Sequence, residues 1–359
     1  MLEAAVKFAD MRPSSTASLI SKSENIRYLS GFTGEGILLL ENCAGKNAIK
    51  AVITDFRYTE QAHQQSPGFD VLETSGANKE NGILRKLLLD AGIKTLFIEA
   101  DNLTVFQYEQ LRADLPELEL VFGGSEAERL RMIKSPEEIG HIRRAEEITD
   151  AAFQHLISSV KTGMTELNLV ALLYKFFLDN GAESFSFDPI VASGENSSKP
   201  HAIACRREIR RGDLITFDIG CKFNGYCSDF TRTIAIGGID PELEKIYNIV
   251  LEANIKGLEA VKAGVLCSEV DAAARSHITK RGYGEFFGHS TGHGVGLEIH
   301  EAPRLSTSSS DILAPGMVVT VEPGIYLPGK GGVRIEDLVL VTEGGCEILS
   351  KSSKQLMIL

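Results

Sequence analysis

The second half of the sequence contains two copies of one pattern. Residues 212–220, GDLITFDIG, line up with residues 316–324, GMVVTVEPG, so that an aspartate in the first copy falls on a glutamate in the second. Residues 226–231, YCSDFT, then match residues 333–338, VRIEDL, again with carboxylate on carboxylate, after three extra residues that we place in the intervening turn. This double match constrains the fold more than any single acidic residue does.

Helical segments precede both copies. Residues 160–167, VKTGMTEL, resemble residues 261–270, VKAGVLCSEV, and each stretch leads into a helical run. Two copies of helices followed by a β-hairpin predict a pseudo-two-fold α+β domain in which the two hairpins meet around one central site.

The first hairpin is expected to bring two aspartates onto one face. The dipeptide Asn224-Gly225 is typical of a two-residue type I′ turn, which would pair residue 218 with residue 231. Asp218 and Asp229 are then diagonal neighbours, about 7–8 Å apart along the backbone, and their side chains can reach one cation. The residues that alternate with Asp218 are expected to face apolar packing: Ile215, Phe217 and Ile219.

Four buried carboxylates on such strands would repel one another and lose their hydration. Their charge of about −4 is balanced by two divalent cations, which is the physical reason to predict a dinuclear metal centre. The segment 288–301, GHSTGHGVGLEIHE, adds an imidazole among small residues that let the backbone approach a ligand. One imidazole with four carboxylates suits manganese, cobalt, iron or catalytic zinc. The predicted ligands are Asp218, Asp229, Glu322, Glu336 and one of the three histidines of this segment.

The first part of the chain has the pattern of a separate, smaller domain. Up to residue 124, short β-rich runs (ASLISKS, GILLLEN, AIKAVIT and TLFIEA) alternate with helical runs (NGILRKLLLDAG and TVFQYEQLRADL), which favours a small α/β domain. A helix is expected to begin near Ser125. Residues 135–138, SPEE, then have the signature of a capping box at the start of a long amphipathic helix. We therefore predict two domains, 1–124 and 125–359.

Composition argues against several classes of function. A net charge of −12, with 37 Lys+Arg against 49 Asp+Glu, argues against a nucleic-acid partner. The first residues lack an apolar run of signal-peptide length, and no stretch approaches the ~20 apolar residues of a membrane span, so we predict a cytoplasmic protein without a membrane partner. The six cysteines lack C-x-x-C spacing, which predicts reduced thiols rather than a disulfide framework or a zinc knuckle.

These segments resemble a known family. STGHGVG at residues 290–296, VEPGIY at 321–326 and GGVRIED at 331–337 resemble the pita-bread metallopeptidases, which include aminopeptidase P and prolidase. Residues 25–32, NIRYLSGF, together with TDFRY at 54–58, resemble the N-terminal domain of the proline-specific members. The resemblance covers nearly the whole chain. It implies a creatinase/prolidase-type α/β domain followed by a pita-bread catalytic domain.

The resemblance also implies roles for individual residues. Asp218 would bind one ion, Asp229 and Glu336 would contact both, and His293 with Glu322 would complete the shell of the other ion. Glu322 is also our candidate for the residue that shuttles the proton. The residues implied to bind substrate or to stabilise the transition state are His201, His289, His300, Tyr326 and Arg334.

The family implies hydrolysis of the peptide bond before proline. We predict an Xaa-Pro aminopeptidase that acts on proline-containing peptides with two divalent ions, preferably Mn²⁺, with Co²⁺, Zn²⁺ and Fe²⁺ as alternatives. An Xaa-Pro dipeptidase, or prolidase, is the alternative prediction, because the sequence does not show how far the N-terminal domain closes over the cleft. A non-catalytic peptide-binding module of the same fold is a remote alternative. The family also implies a homodimer.

Overall fold

The protein is described here from a computed structural model that covers residues 2–42, 48–76 and 79–359. The chain divides into two compact units, Met1–Arg131 and Met132–Leu359. Five cysteines are free thiols: Cys205, Cys221, Cys227, Cys267 and Cys346. The sixth, Cys43, lies outside the described residues. Among the described residues, no helix combines the length and apolarity needed to cross a bilayer.

The first unit is built around a six-stranded sheet with strand order β4-β3-β2-β1-β5-β6. Strand β2 pairs antiparallel with β1 and β3, whereas β1/β5, β3/β4 and β5/β6 are parallel. The strands are β1 Thr16–Ile20, β2 Ile37–Glu41, β3 Lys50–Asp55, β4 Asp70–Thr74, β5 Thr95–Glu99 and β6 Glu119–Gly123. The helices are α1 Leu2–Asp10, α2 Ser23–Ser30, α3 Thr59–Gln65, α4 Glu80–Asp90, α5 Val105–Asp114 and α6 Glu126–Met132.

The structure confirms the predicted α/β character of this unit and adds elements that the sequence patterns did not indicate. The four β-rich runs form β1, β2, β3 and β5, and the two helical runs form α4 and α5. Strands β4 and β6 were not predicted. They are the two edges of the sheet, where half-exposed, charged sequences are tolerated and the apolar signal is weak.

The second unit contains four long helices and several small antiparallel sheets. The helices are α7 Pro136–Ser159, α8 Glu166–Asp179, α9 Pro241–Ala260 and α10 Cys267–Lys280, with short 3₁₀ helices at Gly194–Ser198 and Gly284–Phe286. The strands are β7 Ser184–Phe185, β8 Ile190–Ser193, β9 Leu214–Ile219, β10 Cys221–Phe223, β11 Tyr226–Cys227, β12 Phe230–Ala235, β13 Gly292–Gly294, β14 Glu301–Leu305, β15 Val318–Val321, β16 Gly324–Leu327, β17 Gly331–Arg334, β18 Asp337–Val341 and β19 Cys346–Ile348.

The capping box predicted at the start of the second domain is present at the N-terminus of α7. The Glu138 backbone N–H donates to Ser135 Oγ at 3.3 Å, and the Ser135 N–H donates to the Glu138 carboxylate at 2.8 Å. Pro136 occupies the first turn, where its missing N–H has no helical partner to lose. The predicted apolar face is buried at Ile142, Ala145, Ile148, Ala152 and Leu156.

The two halves of this unit repeat one arrangement of helices and hairpin. Helices α7 and α8 pack on β9 and β12, with Ile215, Phe217 and Ile219 in the shared core as predicted. Residues of α9 and α10 pack in the same way with Val319, Val321 and Val339 of β15 and β18. Each half therefore buries the apolar side of its hairpin against its own helix pair, which leaves the alternate residues free to face a common site.

The hairpins differ in register. Asn224 and Gly225 both have positive φ, as a type I′ turn requires, and Asp218 pairs with Thr231 as predicted. In the second hairpin, Leu327 pairs with Gly331 across a three-residue turn, and the same register runs from Gly324–Arg334 to Val321–Asp337. The prediction that all three extra residues lie in the turn was wrong. One lengthens the turn, and the other two lengthen the returning arm.

Candidate metal centre

Three of the predicted ligands converge in the buried interior between the hairpins. One ligand atom each from Asp229, His293 and Glu336 lies within 4.8 Å of the other two. All three side chains are buried. Asp229 precedes β12, His293 lies in β13 and Glu336 precedes β18, so the cluster joins elements that are distant in sequence.

The other two predicted ligands border this cluster. The Glu322 carboxylate lies 3.4 Å from His293 Nε2, and the Asp229 carboxylate lies 3.5 Å from the same nitrogen. Asp218 lies on β9 and accepts a short hydrogen bond from Arg334 Nη2. The structure thus gathers all five side chains in one region, with Asp218 tied to a guanidinium rather than included in the tight group of three.

The acidic side chains strongly disfavour being charged together. Burial raises the pKa of Asp229 well above its ordinary value, and repulsion from Glu336 and Asp218 raises it further. Burial also raises the pKa of Glu336, with Glu322 and Asp218 as the next causes, and burial raises the pKa of Glu322 to about 8. A divalent cation reverses this effect by supplying the missing positive charge. The donor set, oxygen-rich with one imidazole, fits such ions.

His293 is oriented to bind a cation. Its Nδ1–H donates to the Gly294 carbonyl at 3.1 Å, which leaves the lone pair of Nε2 directed at the carboxylates. Burial lowers the pKa of His293 to about 3, so the ring stays neutral at physiological pH. A neutral imidazole with a fixed tautomer is the form that ligates metals.

Side chains of the first hairpin support a ligand of the second. Thr231 Oγ1 donates to Glu336 Oε2 at 2.8 Å, and the Glu336 backbone N–H donates to the Thr231 carbonyl at 3.1 Å. The buried Arg232 guanidinium donates to the carbonyls of Thr231 and Glu336 and pairs with Asp337 at 2.8 Å. These contacts join the two hairpins directly beside the predicted metal ligands.

A chain of hydrogen bonds extends from Asp218 through the predicted substrate-binding residues. Arg334 Nη1 donates to the Tyr326 hydroxyl oxygen at 2.7 Å, and that hydroxyl lies 2.9 Å from His289 Nε2. His289 Nδ1–H donates to the Ser290 carbonyl at 2.9 Å, so Nε2 is the acceptor of the Tyr326 O–H. Burial, followed by the nearby Arg334 cation, lowers the pKa of His289 to about 4.

The remaining predicted histidines lie at the exposed side of the cluster. The His300 ring packs edge-on against His293 with ring centroids 4.4 Å apart, and its side chain is exposed. His201 is exposed on the segment that follows the Gly194–Ser198 helix. The preceding carbonyl, that of Pro200, accepts from Arg334 Nη1 at 3.3 Å. His201 makes no direct hydrogen bond to the cluster among the described contacts.

Arg304 is a candidate site residue that the sequence patterns did not reveal. It pairs with His293 across β13 and β14, so the two side chains share a face. Arg304 is exposed, forms no ion pair or side-chain hydrogen bond within the described part of the chain, and lines a groove of ≈ 490 Å³ with His300. Only the strand pairing identifies it, because no turn signal links β13 to β14.

Two protein families match this chain. The description "Metallopeptidase family M24" matches residues 140–343, and "Creatinase/Prolidase N-terminal domain" matches residues 14–133. A relative from Pyrococcus horikoshii, named Xaa-Pro dipeptidase, is 38% identical over 356 residues, which cover 98% of this chain and 97% of the relative.

Solved structures agree with this placement. An Xaa-Pro dipeptidase from Bacillus anthracis superimposes with a TM-score of 0.93 at 43% identity and covers 100% of this chain and 99% of its own. An X-Pro aminopeptidase from Thermotoga maritima gives a TM-score of 0.88 at 39% identity, over 96% of this chain and 97% of its own. The chain therefore belongs to metallopeptidase family M24. It is a metallo-exopeptidase with the fold that the sequence predicted.

Proposed function

We propose that this protein is an Xaa-Pro dipeptidase that binds two divalent ions, with Mn²⁺ as the preferred metal, through Asp218, Asp229, His293, Glu322 and Glu336. The sequence alone favoured the aminopeptidase. The named relatives from Pyrococcus horikoshii and Bacillus anthracis favour the dipeptidase, which was our alternative prediction. The observation that carries the proposal in the structure is the exposed guanidinium of Arg304 beside the predicted metal ligands, which has no ion-pair partner among the residues that the structure describes.

A dipeptide ending in proline has a free carboxylate next to the bond that is cleaved. Arg304 shares a strand face with His293 and lines the same groove as His300. Its guanidinium is therefore available to that carboxylate. Arginine pairs with carboxylates through two parallel N–H donors, which gives directional recognition. A longer peptide has an amide at this position and cannot form the same ion pair.

The surrounding residues supply the proton transfers and hold the substrate. Two divalent ions, when bound, lower the pKa of water and polarise the scissile carbonyl. The Glu322 carboxylate takes the proton of the attacking water and delivers it to the proline nitrogen, which has no N–H of its own. His201 and His300 donate hydrogen bonds to the carbonyl oxygen as negative charge develops on it, and Arg334 holds Asp218 and Tyr326 in place.

The aminopeptidase remains the second candidate. It is favoured by the similarity to the Thermotoga maritima enzyme and by the openness of the groove along Ser306 to Asp311, which leaves room for a chain beyond proline. The non-catalytic binding module, our remote alternative, loses its basis, since the chain is a metallo-exopeptidase.

The discriminating experiment compares Gly-Pro with its amide, Gly-Pro-NH₂, using Mn²⁺-loaded protein. We expect wild-type protein to prefer the free carboxylate. Arg304→Gln is expected to raise KM for Gly-Pro by about 10- to 100-fold, the size of a lost charged hydrogen bond, and to leave KM for the amide unchanged. Arg210→Gln, at another exposed arginine, serves as the matched control.

Two outcomes would count against this proposal. Equal rates of wild-type cleavage of Gly-Pro and Gly-Pro-NH₂, with faster release from Gly-Pro-Pro, would favour the aminopeptidase. Failure to cleave any of the three would reject hydrolysis before proline altogether. We also propose a homodimer in the cytoplasm. A monomer by light scattering would reject the dimer.

A further inference from the structure

The loop that carries His201 has no regular secondary structure, and its buried apolar contacts come from two alanines, Ala202 and Ala204. Residues 199–205 form neither helix nor strand, and His201 is exposed. Ile203, two residues later, is 85% exposed, and the apolar contact nearest to His201 is that of the small side chain of Ala202, which packs with Ile190 and Ala192. The loop is nevertheless held at one point near its tip, where the Pro200 carbonyl accepts from Arg334.

A buried carboxylate lies at the base of this loop. Glu166, in the first turn of α8, is fully buried and accepts four hydrogen bonds. Its Oε1 accepts from the backbone N–H of Ser193 at 2.7 Å and from Ser193 Oγ at 2.8 Å. Its Oε2 accepts from Asn196 Nδ2 and from the Cys205 N–H, both at 2.9 Å.

The two donors to Oε2 lie on either side of His201. Asn196 precedes the loop and Cys205 ends it, and Asn196 Nδ2 also donates to the Ile203 carbonyl at 3.2 Å. The helix before the loop and the last residue of the loop are therefore bonded to one carboxylate oxygen. Glu166 belongs to a helix that packs in the core. Its hydrogen bonds therefore hold the segment that carries His201 against a rigid element.

We infer that Glu166 is a positioning residue that holds His201 against the substrate by closing the base of the 199–205 loop. This inference rests on the proposed function, in which His201 contacts the scissile carbonyl. A carboxylate suits the role because all four partners are donors. A glutamine has the same shape but would turn its NH₂ group towards one pair of these donors.

The other half of the catalytic unit shows a comparable device. Asp271 of α10 is fully buried and accepts from the Thr291 N–H at 3.1 Å and from Thr291 Oγ1 at 2.8 Å. Its partner Arg275 donates to the His289 carbonyl at 2.7 Å. In both halves, the second helix thus fixes a histidine-bearing segment through a buried acid. Glu269, the counterpart of Glu166 in the sequence repeat, is exposed, which makes it a matched control.

A double-mutant cycle on the full-length, Mn²⁺-loaded protein tests this inference. The variants are Glu166→Gln, His201→Ala, the double variant and Glu269→Gln, each assayed on Gly-Pro. We expect Glu166→Gln to lower kcat/KM by about 100-fold, the effect of a misplacement of about 1 Å. The double variant should be no slower than His201→Ala alone, because both changes remove one function. Metal content should stay that of the wild type, and Glu269→Gln should behave as the wild type.

The outcomes separate this inference from the proposed function. If wild-type protein does not cleave Gly-Pro, the proposed function is rejected. If wild-type protein is active and Glu166→Gln matches it, or if the effects of the two substitutions multiply in the double variant, the positioning role is rejected. Should Glu166→Gln fail to fold, Asn196→Ala removes the same link between Glu166 and Ile203. We then expect Asn196→Ala alone to lower kcat/KM relative to the wild type. Added to His201→Ala, it should cause no further loss.

Discussion

The two acidic hairpins of the catalytic unit share a sequence pattern but differ in how they present their ligands. In the first hairpin Asp218 pairs with Thr231, so Asp229 lies diagonally from it. In the second hairpin, the register on both sides of the ligands places Glu322 directly opposite Glu336. Short aspartates occupy the diagonal arrangement and longer glutamates the opposed one.

The repeat therefore keeps a carboxylate at each matching position but does not keep the pairing between the strands. The first hairpin also supplies support for the second, because Thr231 and Arg232 bond to Glu336 and no equivalent hydroxyl follows Glu336 at Leu338. The second hairpin returns this support through Arg334, which bonds to Asp218. The two hairpins therefore build the candidate site together but contribute different supporting contacts. Substitutions in either hairpin should impair the same site, and their effects should differ in size.

The largest effect is expected from removing one acid of the central cluster in either half. Asp229→Asn and Glu336→Gln should each lower kcat/KM by at least about 10³-fold, since metal polarisation contributes several kcal/mol and each 1.36 kcal/mol is a factor of ten. Kinetics with metal analysis checks this prediction. Glu343→Gln, an exposed acid beyond β18, is the control. If one hairpin's variant kept more than a tenth of the activity, the two halves would not form one site.

The next effect concerns the joint between the halves. Arg232→Met removes a buried cation that pairs with Asp337, and loss of one partner of a buried ion pair costs about 3–5 kcal/mol. We expect the lower end of this range, because Lys354 also pairs with Asp337 at 2.7 Å. Urea unfolding measures the change in the free energy of unfolding. Arg210→Met should stay within about 0.5 kcal/mol of the wild type, as surface changes do. Equal stability of both variants would show that the joint is unimportant.

A smaller effect on catalysis is expected from the hydroxyl that crosses between the halves. Thr231→Val keeps the side-chain shape and deletes the donor to Glu336. Loss of such a supporting contact to a metal ligand typically lowers metal affinity or activity by about 10- to 100-fold. Calorimetric titration with Mn²⁺ measures the affinity, and Thr216→Val, whose hydroxyl bonds to Thr233 and not to a predicted ligand, is the control. An unchanged Mn²⁺ affinity in Thr231→Val would show that the Thr231 hydroxyl does not support metal binding.

The smallest effect concerns a feature of the second hairpin only. Tyr326 and Arg334 lie on its two arms and connect to His289, whereas the matching positions of the first hairpin are Lys222 and Cys227. The pKa of His289 is lowered to about 4 from an ordinary value of 6.5. As the pH falls, the unfolded chain therefore takes up a proton at His289 before the folded chain does. The contribution of His289 to stability is complete above pH 6.5 and is lost as the pH drops towards 4, by up to about 1.36 kcal/mol per pH unit.

Unfolding of the metal-free protein between pH 4 and 6.5 checks this dependence. His289→Gln should flatten the slope of unfolding free energy against pH by about one proton. His63→Gln, at an exposed position of α3 in the other unit, should leave the slope as in the wild type. A slope that is the same with and without His289 would contradict the stated cause.

The sequence predicted the parts of the fold that local chemistry determines. The Asn224-Gly225 turn fixed the register of the first hairpin because a type I′ turn admits little choice. The second hairpin has a longer turn at Pro328 to Lys330, whose residues allow several registers, so the pairing of Glu322 with Glu336 could not be derived.

Long-range pairing explains what the sequence could not predict about the site. The acids were predicted because carboxylates recur on matching positions of the repeat, and His293 was predicted from the resemblance of its segment to a known family. Arg304 was missed because its relation to His293 depends on β14 pairing with β13, which no local pattern encodes. Glu166 was passed over for the same reason, since its four donors come from segments far along the chain.

The most direct test of the account is an anomalous-scattering map from crystals of the Mn²⁺-loaded protein, recorded at the manganese absorption edge. We expect two peaks between the hairpins, with Asp229 and Glu336 contacting both ions and His293 bonded to one through Nε2. A single peak, or peaks bound by acids elsewhere on the chain, would contradict the claim that the two hairpins build one dinuclear centre.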